Sequence, residues 1–259
     1  IRCSILRNRD LRWCLMRKYL KKWVCLFLMA SFVAGTPLHA AENVFLREDF
    51  ENLDTWEPLF FCEIQRHTSY AVEKQEKSNV LVIRSDNSAS AIVCKQSINV
   101  AEFPIIRWRW KVDNVYAKGN YRLKSGDDYP IRVYVLFEFD PKTAGIGLRL
   151  KNGVIKILYG RYPPQSSLNY IWANRAEETE PVASPFTDRS IMIPLQQGPQ
   201  NAGRWVKETV NVLKDFRRFF GVDPPPRATL AIMNDSDNTG ENATSYIEYI
   251  EVLKTAEAL

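Results

Sequence analysis

From Val44 onward the sequence is cut into short apolar or alternating runs, closed by Gly, Pro, Asn or Asp, without helices alternating between them. The runs are Val44–Phe50, Val80–Arg84, Ala91–Ile98, Ile105–Val112, Ile131–Phe139, Val154–Tyr159, Tyr170–Ala173, Ser190–Leu195, Arg204–Val210, Ala228–Met233 and Ser245–Leu253. Segments of this length and punctuation bury their apolar sides by pairing as strands, so the fold class is all-β, a sandwich or a barrel. One helix is predicted over Val212–Phe220. Asn211 stands at its N-cap, Leu213, Phe216 and Phe220 share a face, and Gly221 stands at its exit. Pro224, Pro225 and Pro226 stop any continuation, which makes the helix a plug for one end of a sandwich.

Two runs show the strand period most plainly. In Ile105–Val112, alternation puts Trp108, Trp110 and Val112 on one face and Arg107, Arg109 and Lys111 on the other. In Ile131–Phe139, Val133, Val135, Phe137 and Phe139 take one face, while Arg132, Tyr134, Leu136 and Glu138 take the other. If these strands are neighbours, Arg107, Arg109, Arg132 and Tyr134 form one ligand platform. The alternative is an ordinary solvated face laced with ion pairs.

The amino-terminal stretch reads as an address. Arg17, Lys18, Lys21 and Lys22 precede an apolar run from Trp23 to Ala34, and Leu38-His39-Ala40-Ala41 follows. A charged head, a short apolar middle and a small-residue exit describe a secretory signal peptide, with cleavage expected after Ala40. The apolar run is shorter than the ~20 residues a bilayer needs. The first methionine is Met16, so residues 1–15 read as an upstream extension. Residues 41–259 then form a single domain, exported to the periplasm or beyond, with no transmembrane segment after cleavage.

Removing the leader changes the charge and the cysteines. The chain has 35 Lys+Arg and 30 Asp+Glu; eight of the basic groups and one acid, Asp10, lie in residues 1–40, leaving 27 basic and 29 acidic, about −2 net. A nucleic-acid partner wants a basic domain, so that class is excluded. Cys3, Cys14 and Cys25 leave with the leader. Cys62 and Cys94 remain, an even pair in an oxidising compartment, and a disulfide between them is expected.

Chemistry-bearing motifs are few. Asn234 to Gly240 offers oxygens at alternate positions, as Ca²⁺ requires, with Asp235, Asp237 and Asn238 as candidate ligands. The helix–loop–helix calcium pattern fails, because its twelfth position is Tyr246 rather than Glu. A polar hairpin loop is the other reading. Asp127 and Asp128 stand together before a strand, where neighbouring carboxylates split their pKa values and serve as acid and base. Otherwise one caps a turn and the other pairs with Arg132 or Arg109. After cleavage His67 is the only histidine, and there is no Gly-x-Ser-x-Gly elbow, no His/Cys zinc set and no Gly-rich phosphate loop before a helix.

Several segments together resemble an exported bacterial family known as domain of unknown function 3047. They are Arg107 to Val112, Lys124 to Tyr129, Arg132 to Phe137, Tyr170 to Trp172, Phe219 to Gly221 with the following prolines, and Ala231 to Gly240. They occur in the family's order, and the resemblance spans roughly Asp49 to Val252, nearly the whole chain after the leader. A second resemblance is architectural. Glu48, Asp49, Phe50 and Glu51, followed by Trp56, look like the opening strand of jelly-roll carbohydrate-binding modules. In such modules a closing strand like Ser245–Leu253 neighbours the first. The resemblance implies a jelly-roll β-sandwich, and fold does not imply function.

The reading that follows is an exported, non-catalytic protein binding a cell-envelope or environmental glycan, acidic in character. Arg107, Arg109, Arg132, Tyr134, Asp127 and Asp128 line the proposed groove, and Trp172 is the stacking platform. Trp56 and Tyr170 are further stacking candidates, though Trp and Tyr also fill sandwich cores. The alternatives are a hydrolase or lyase acting on an acidic polysaccharide, and an envelope scaffold with no small ligand.

Overall fold

The computed structural model describes residues 43–75, 78–141 and 163–255, all within the unit Glu42–Leu259. The strands in this part of the chain are β1 (Val44–Glu48), β2 (Trp56–Leu59), β3 (Ser69–Lys74), β4 (Asn79–Asp86), β5 (Ala89–Asn99), β6 (Ile105–Val112), β7 (Arg132–Phe137), β8 (Ser166–Ala173), β9 (Val182–Ser184), β10 (Thr187–Gln197), β11 (Val206–Asn211), β12 (Arg227–Asp235) and β13 (Asn242–Leu253). One helix, α1 (Val212–Phe220), lies between β11 and β12. The leader read in residues 1–40, with Cys3, Cys14 and Cys25, and the strand expected over Val154–Tyr159 lie outside the described residues.

Two sheets form a jelly-roll β-sandwich. The first has the order β11-β6-β13-β4-β3, with β1 also paired to β13. The second has the order β2-β5-β12-β7-β8-β10-β9. Among the described residues every strand pairing is antiparallel except β8 with β10. The first and last strands are neighbours, with Glu48 opposite Ile250.

Period two builds the core. Trp108 and Trp110 leave β6 toward the second sheet, and both are fully buried. Their rings meet edge-on at 5.4 Å; Trp108 lies 5.7 Å from Tyr170 and Trp110 lies 5.8 Å from Trp172, both on β8. Burying one such ring removes roughly 150–250 Å² from water, about 4–6 kcal/mol by area. This aromatic row joins the two sheets.

The helix forms where the sequence places it. Asn211 Oδ1 accepts from the Lys214 N–H at 2.9 Å, and Gly221 takes the left-handed conformation (φ 69°) at the exit. Phe216 packs 4.4 Å from Phe137, and Asp215 accepts from the buried Tyr170 hydroxyl at 2.7 Å. These contacts seat α1 against the second sheet.

The disulfide expectation is corrected. Cys62 and Cys94 are both free. The two lie on opposite sides of the second sheet. Cys94 belongs to the core between the sheets, whereas Cys62 is exposed, on the loop after β2, lining a cavity on the outer face. Sequence spacing carries no information about which face of a sheet each thiol takes.

Candidate functional site

The register of the second sheet assembles one surface. On β7, Arg132 and Tyr134 alternate with the core residues Val133 and Val135. Met233 on β12 lies opposite Arg132, and Ala231 lies opposite Tyr134. On the other side of Tyr134 comes Asn169 of β8, then Met192 of β10. Beyond β12, β5 contributes Ala89 opposite Asp235 and Ala91 opposite Met233. Small residues on β5 and large ones on β7 and β12 leave a hollow in the sheet's outer face. It is a cavity of about 690 Å³. A second hollow of about 860 Å³ continues it and shares Phe60, Phe61, Tyr134 and Met233.

The end of β12 carries the same alternation into the Asn234–Gly240 motif. Asn234 turns inward, where its Oδ1 accepts from the Ser85 and Tyr116 hydroxyls, each at 2.7 Å. Asp235 and Asp237 turn outward and line the cavity. Asp235 is paired with the Arg132 guanidinium and accepts from the Tyr129 N–H. The backbone here is pinned by Ser236 N–H to Ser88 C=O at 2.9 Å and by Thr68 Oγ1 to Asn234 C=O at 2.8 Å.

Asp127 and Asp128 arrive on the segment between β6 and β7. Its turn is tight: the Asn120 N–H reaches Gly126 C=O at 2.8 Å, and a Cβ at Gly126 would stand 2.7 Å from the Asn120 nitrogen. Only glycine fits that approach. The adjacent carboxylates then diverge. Asp127 accepts from the Tyr129 hydroxyl at 2.8 Å and lies 3.9 Å from Arg132. Asp128 takes the Asn238 amide at 2.9 Å, the Asn238 N–H at 3.4 Å and the Thr239 N–H at 2.6 Å. One acid pairs with arginine and the other caps a turn, as the second sequence reading of this pair has it.

Arg132 is thus enclosed. Its side chain is 5% exposed, with Asp235 and Asp127 as its acidic neighbours and the rings of Tyr129 and Tyr134 at 4.8 and 5.4 Å. Burial holds the Asp127 carboxyl above the usual carboxylate range, against the pull of Arg132 and Tyr129. Burial, then the Asp128 charge, does the same to Asp237. The Asp128, Asp235 and Asp237 carboxylates each bring an oxygen within 4.8 Å of the others. Of the calcium candidates, Asn238 turns its amide N–H to Asp128, and Asp235 is engaged by Arg132.

The predicted platform is divided between the sheets. Arg107 and Arg109 lie on β6, in the first sheet, and Arg132 and Tyr134 lie on β7, in the second. They share no surface. On the first sheet Arg107 faces Glu251 at 3.5 Å and Arg109 binds Glu248 at 2.6 Å. Lys111 is held over the Tyr246 and Trp205 rings at 4.0 and 5.5 Å. Trp172 is fully buried, donating to Gly198 C=O at 3.1 Å, so it is a core residue and no stacking platform. Tyr170 and Trp56 are core residues too.

The exposed rings at the cavity are phenylalanines. Phe60, on the loop after β2, is 55% exposed, and Phe186, between β9 and β10, is 57% exposed. Asn169, Ser190 and Met192 are also absent from the sequence-based set. Phe60 and Phe61 form an adjacent aromatic pair outside any alternating run, which is the one signal that pointed to them.

Several solved structures have a similar chain path. A family 11 carbohydrate-binding module from Clostridium thermocellum, solved with a β-1,3-1,4-mixed-linked tetrasaccharide, is 10% identical, with a TM-score of 0.43 over 83% of this chain and 98% of that one. Endoglucanase 3 of Trichoderma harzianum, from glycoside hydrolase family 12, gives 8%, 0.40, 78% and 100%. A family 30 carbohydrate-binding module of a Clostridium thermocellum cellulosomal cellulase gives 8%, 0.38, 78% and 95%. No curated protein matches the sequence. The family described as protein of unknown function (DUF3047) matches residues 54–251, and the chain belongs to it.

Proposed function

We propose that this protein binds a glycan in the groove on the outer face of its second sheet. The carrying observation is the pairing of two exposed rings, Phe60 and Phe186, with a cavity whose floor has unsatisfied polar atoms. Asn169 Oδ1 and Arg132 Nε are buried without a partner, and both side chains line the cavity. A buried polar atom left unpaired costs about 1–3 kcal/mol, so a ligand that supplies both a donor and an acceptor is favoured. A sugar hydroxyl supplies both, and the ring faces of a sugar stack on phenylalanine. Export to the periplasm, with cleavage after Ala40, belongs to the same proposal and puts the groove where envelope and environmental glycans occur. Amino-terminal sequencing of the exported protein tests that part.

The test of the groove is calorimetry against an array of oligosaccharides, with Phe60→Ala and Phe186→Ala as variants. Each substitution is expected to weaken binding by roughly tenfold, about 1.4 kcal/mol, while the melting temperature holds. Unchanged affinity in both variants places the ligand elsewhere.

A second reading, hydrolysis or lysis of the bound glycan, is supported by one observation. Asp127 and Asp237 line the same cavity, and both are held above the usual carboxylate range. An enzyme cleaves the oligosaccharides it binds and loses that activity in Asp127→Asn. A binding module returns them intact.

A further inference from the structure

We propose that the polar end of this groove receives a protonated amine, so that the glycan is one carrying free amino groups; the inference rests on the glycan reading above. The cavity's charged lining is unbalanced. Glu63, Asp127, Asp235 and Asp237 face it with Arg132 as the single cation among the described lining residues. The charge of Arg132 is shared within the protein: Asp235 takes it directly, Asp127 lies at 3.9 Å, and the Tyr129 and Tyr134 rings lie against it, with Nε alone left unpartnered. Lys124 sits 5.3 Å from the ring of Phe186, outside the lining, and Lys118 is turned to Thr239 C=O at 3.0 Å. Asp127 shares Arg132 with Asp235, which leaves Glu63 and Asp237 as the described lining carboxylates with no salt bridge.

An independent observation points the same way. Asn169 is 1% exposed, lines this cavity and keeps its Oδ1 acceptor without a partner, while its Nδ2 donates to Ser190 Oγ at 2.5 Å. The site therefore offers carboxylates, an unfilled amide acceptor and exposed phenylalanine rings. An ammonium group brings three donors and a positive charge, and it is favoured beside both carboxylates and ring faces. A uronate would meet Glu63 and Asp237, and the one cation among the described lining residues, Arg132, is already shared by Asp235 and Asp127, which argues against an acidic glycan here. Calcium is the competing occupant. It wants 6–8 oxygens, yet Asp128 already accepts three hydrogen bonds and Asp235 is held by Arg132.

The test compares four probes on residues 41–259: glucosamine tetrasaccharide, its N-acetylated counterpart, cellotetraose and spermidine. Titrations are run at a pH where carboxylates are ionised and amines protonated, with the parent protein and Asp237→Asn. The expected result is that the glucosamine tetramer binds at least tenfold tighter than cellotetraose. N-acetylation and Asp237→Asn each remove that margin, and the variant melts no lower than the parent. Equal binding of glucosamine tetramer and cellotetraose overturns the amine assignment and leaves the glycan reading intact. Failure of every oligosaccharide overturns the glycan reading. Spermidine binding tighter than the tetramer makes the ligand a polyamine and overturns the sugar. Calcium raising the melting temperature while abolishing the amine margin assigns the site to the metal and overturns the proposal.

Discussion

Arg109 and Arg132 occupy equivalent positions in the alternating pattern, each flanked by core residues on a strand inside its sheet, yet the two outer faces treat them differently. On the first sheet Arg109 keeps 38% of its side chain exposed and pairs with Glu248, itself 22% exposed, beside the Trp205 ring. On the second sheet Arg132 keeps 5%, and Asp235 and Asp127 beside it keep 2% and 7%. On the first face water screens the Arg109–Glu248 pair, although Arg107 and Glu251 on the same face are buried. The second is a cluster from which the segment before β7 and the end of β12 exclude water. The Arg109 charge sits at the surface, whereas the Arg132 charge is built into the fold.

The sharpest way to break this comparison is Arg132→Leu. It leaves Asp235 buried and unpaired, which costs about 3–5 kcal/mol. Thermal and urea melts measure the loss. The double variant Arg132→Leu with Asp235→Leu is expected to recover most of it, because removing both charges together leaves no orphan. A single variant as stable as the parent would mean that the cluster is solvated and that the two faces do not differ in kind.

A smaller effect is expected at Asp237, and its sign is informative. Burial and the charges of Asp128 and Arg132 act on this carboxyl, with Asp127 and Asp235 in the same cluster, and the net result is a raised pKa in the folded state. A raised carboxyl contributes stability that is full below its unfolded value, about 3.9, and is lost as pH rises through its folded value. Asp237→Asn does not lose that contribution. The variant is therefore expected to match the parent in acid and to become the more stable of the two as pH rises toward neutrality. Melts across that window check it. A variant less stable at neutral pH would show that Asp237 holds the loop together instead of facing a ligand.

The difference between the faces marks how far sequence reading reaches. Strand period and turn residues located β6 and the helix at their observed bounds, because both follow from local pattern and capping. Strands β2, β3 and β9 lie outside the sequence-based runs: Trp56–Leu59 contains Pro58, Ser69–Lys74 is half polar, and Val182–Ser184 is only three residues long. The motif residues Asp127, Asp128, Arg132, Tyr134, Asp235, Asp237 and Asn238 do converge. What the period could not supply is sheet membership. Alternation places Arg109 and Arg132 each on an outer face, but both sheets have one, and pairing order is a long-range property. The same gap sent Trp172 outward and joined Cys62 to Cys94. Exposed Phe60 and Phe186 lie at loop tips, where no periodic signal exists.

The smallest expected effect is at Arg109, and it sharpens the comparison from the other side. Its bond to Glu248 is short, 2.6 Å, but both groups meet solvent. An exposed pair of this kind contributes about 0.2–1 kcal/mol, and the Trp205 ring adds about 0.5–1. Arg109→Ala is expected to cost about 1 kcal/mol in low salt and less in high salt, because screening falls on exposed pairs. Glycan affinity is expected to stay unchanged, since the groove lies on the opposite sheet. Loss of binding in this variant, with the melting temperature preserved, would move the ligand to the first sheet, where Arg107, Lys111, Trp205 and Tyr246 would surround it. A loss of stability as large as that of Arg132→Leu would instead show that burial does not set the strength of these two arginines, and the contrast between the faces would fall with it.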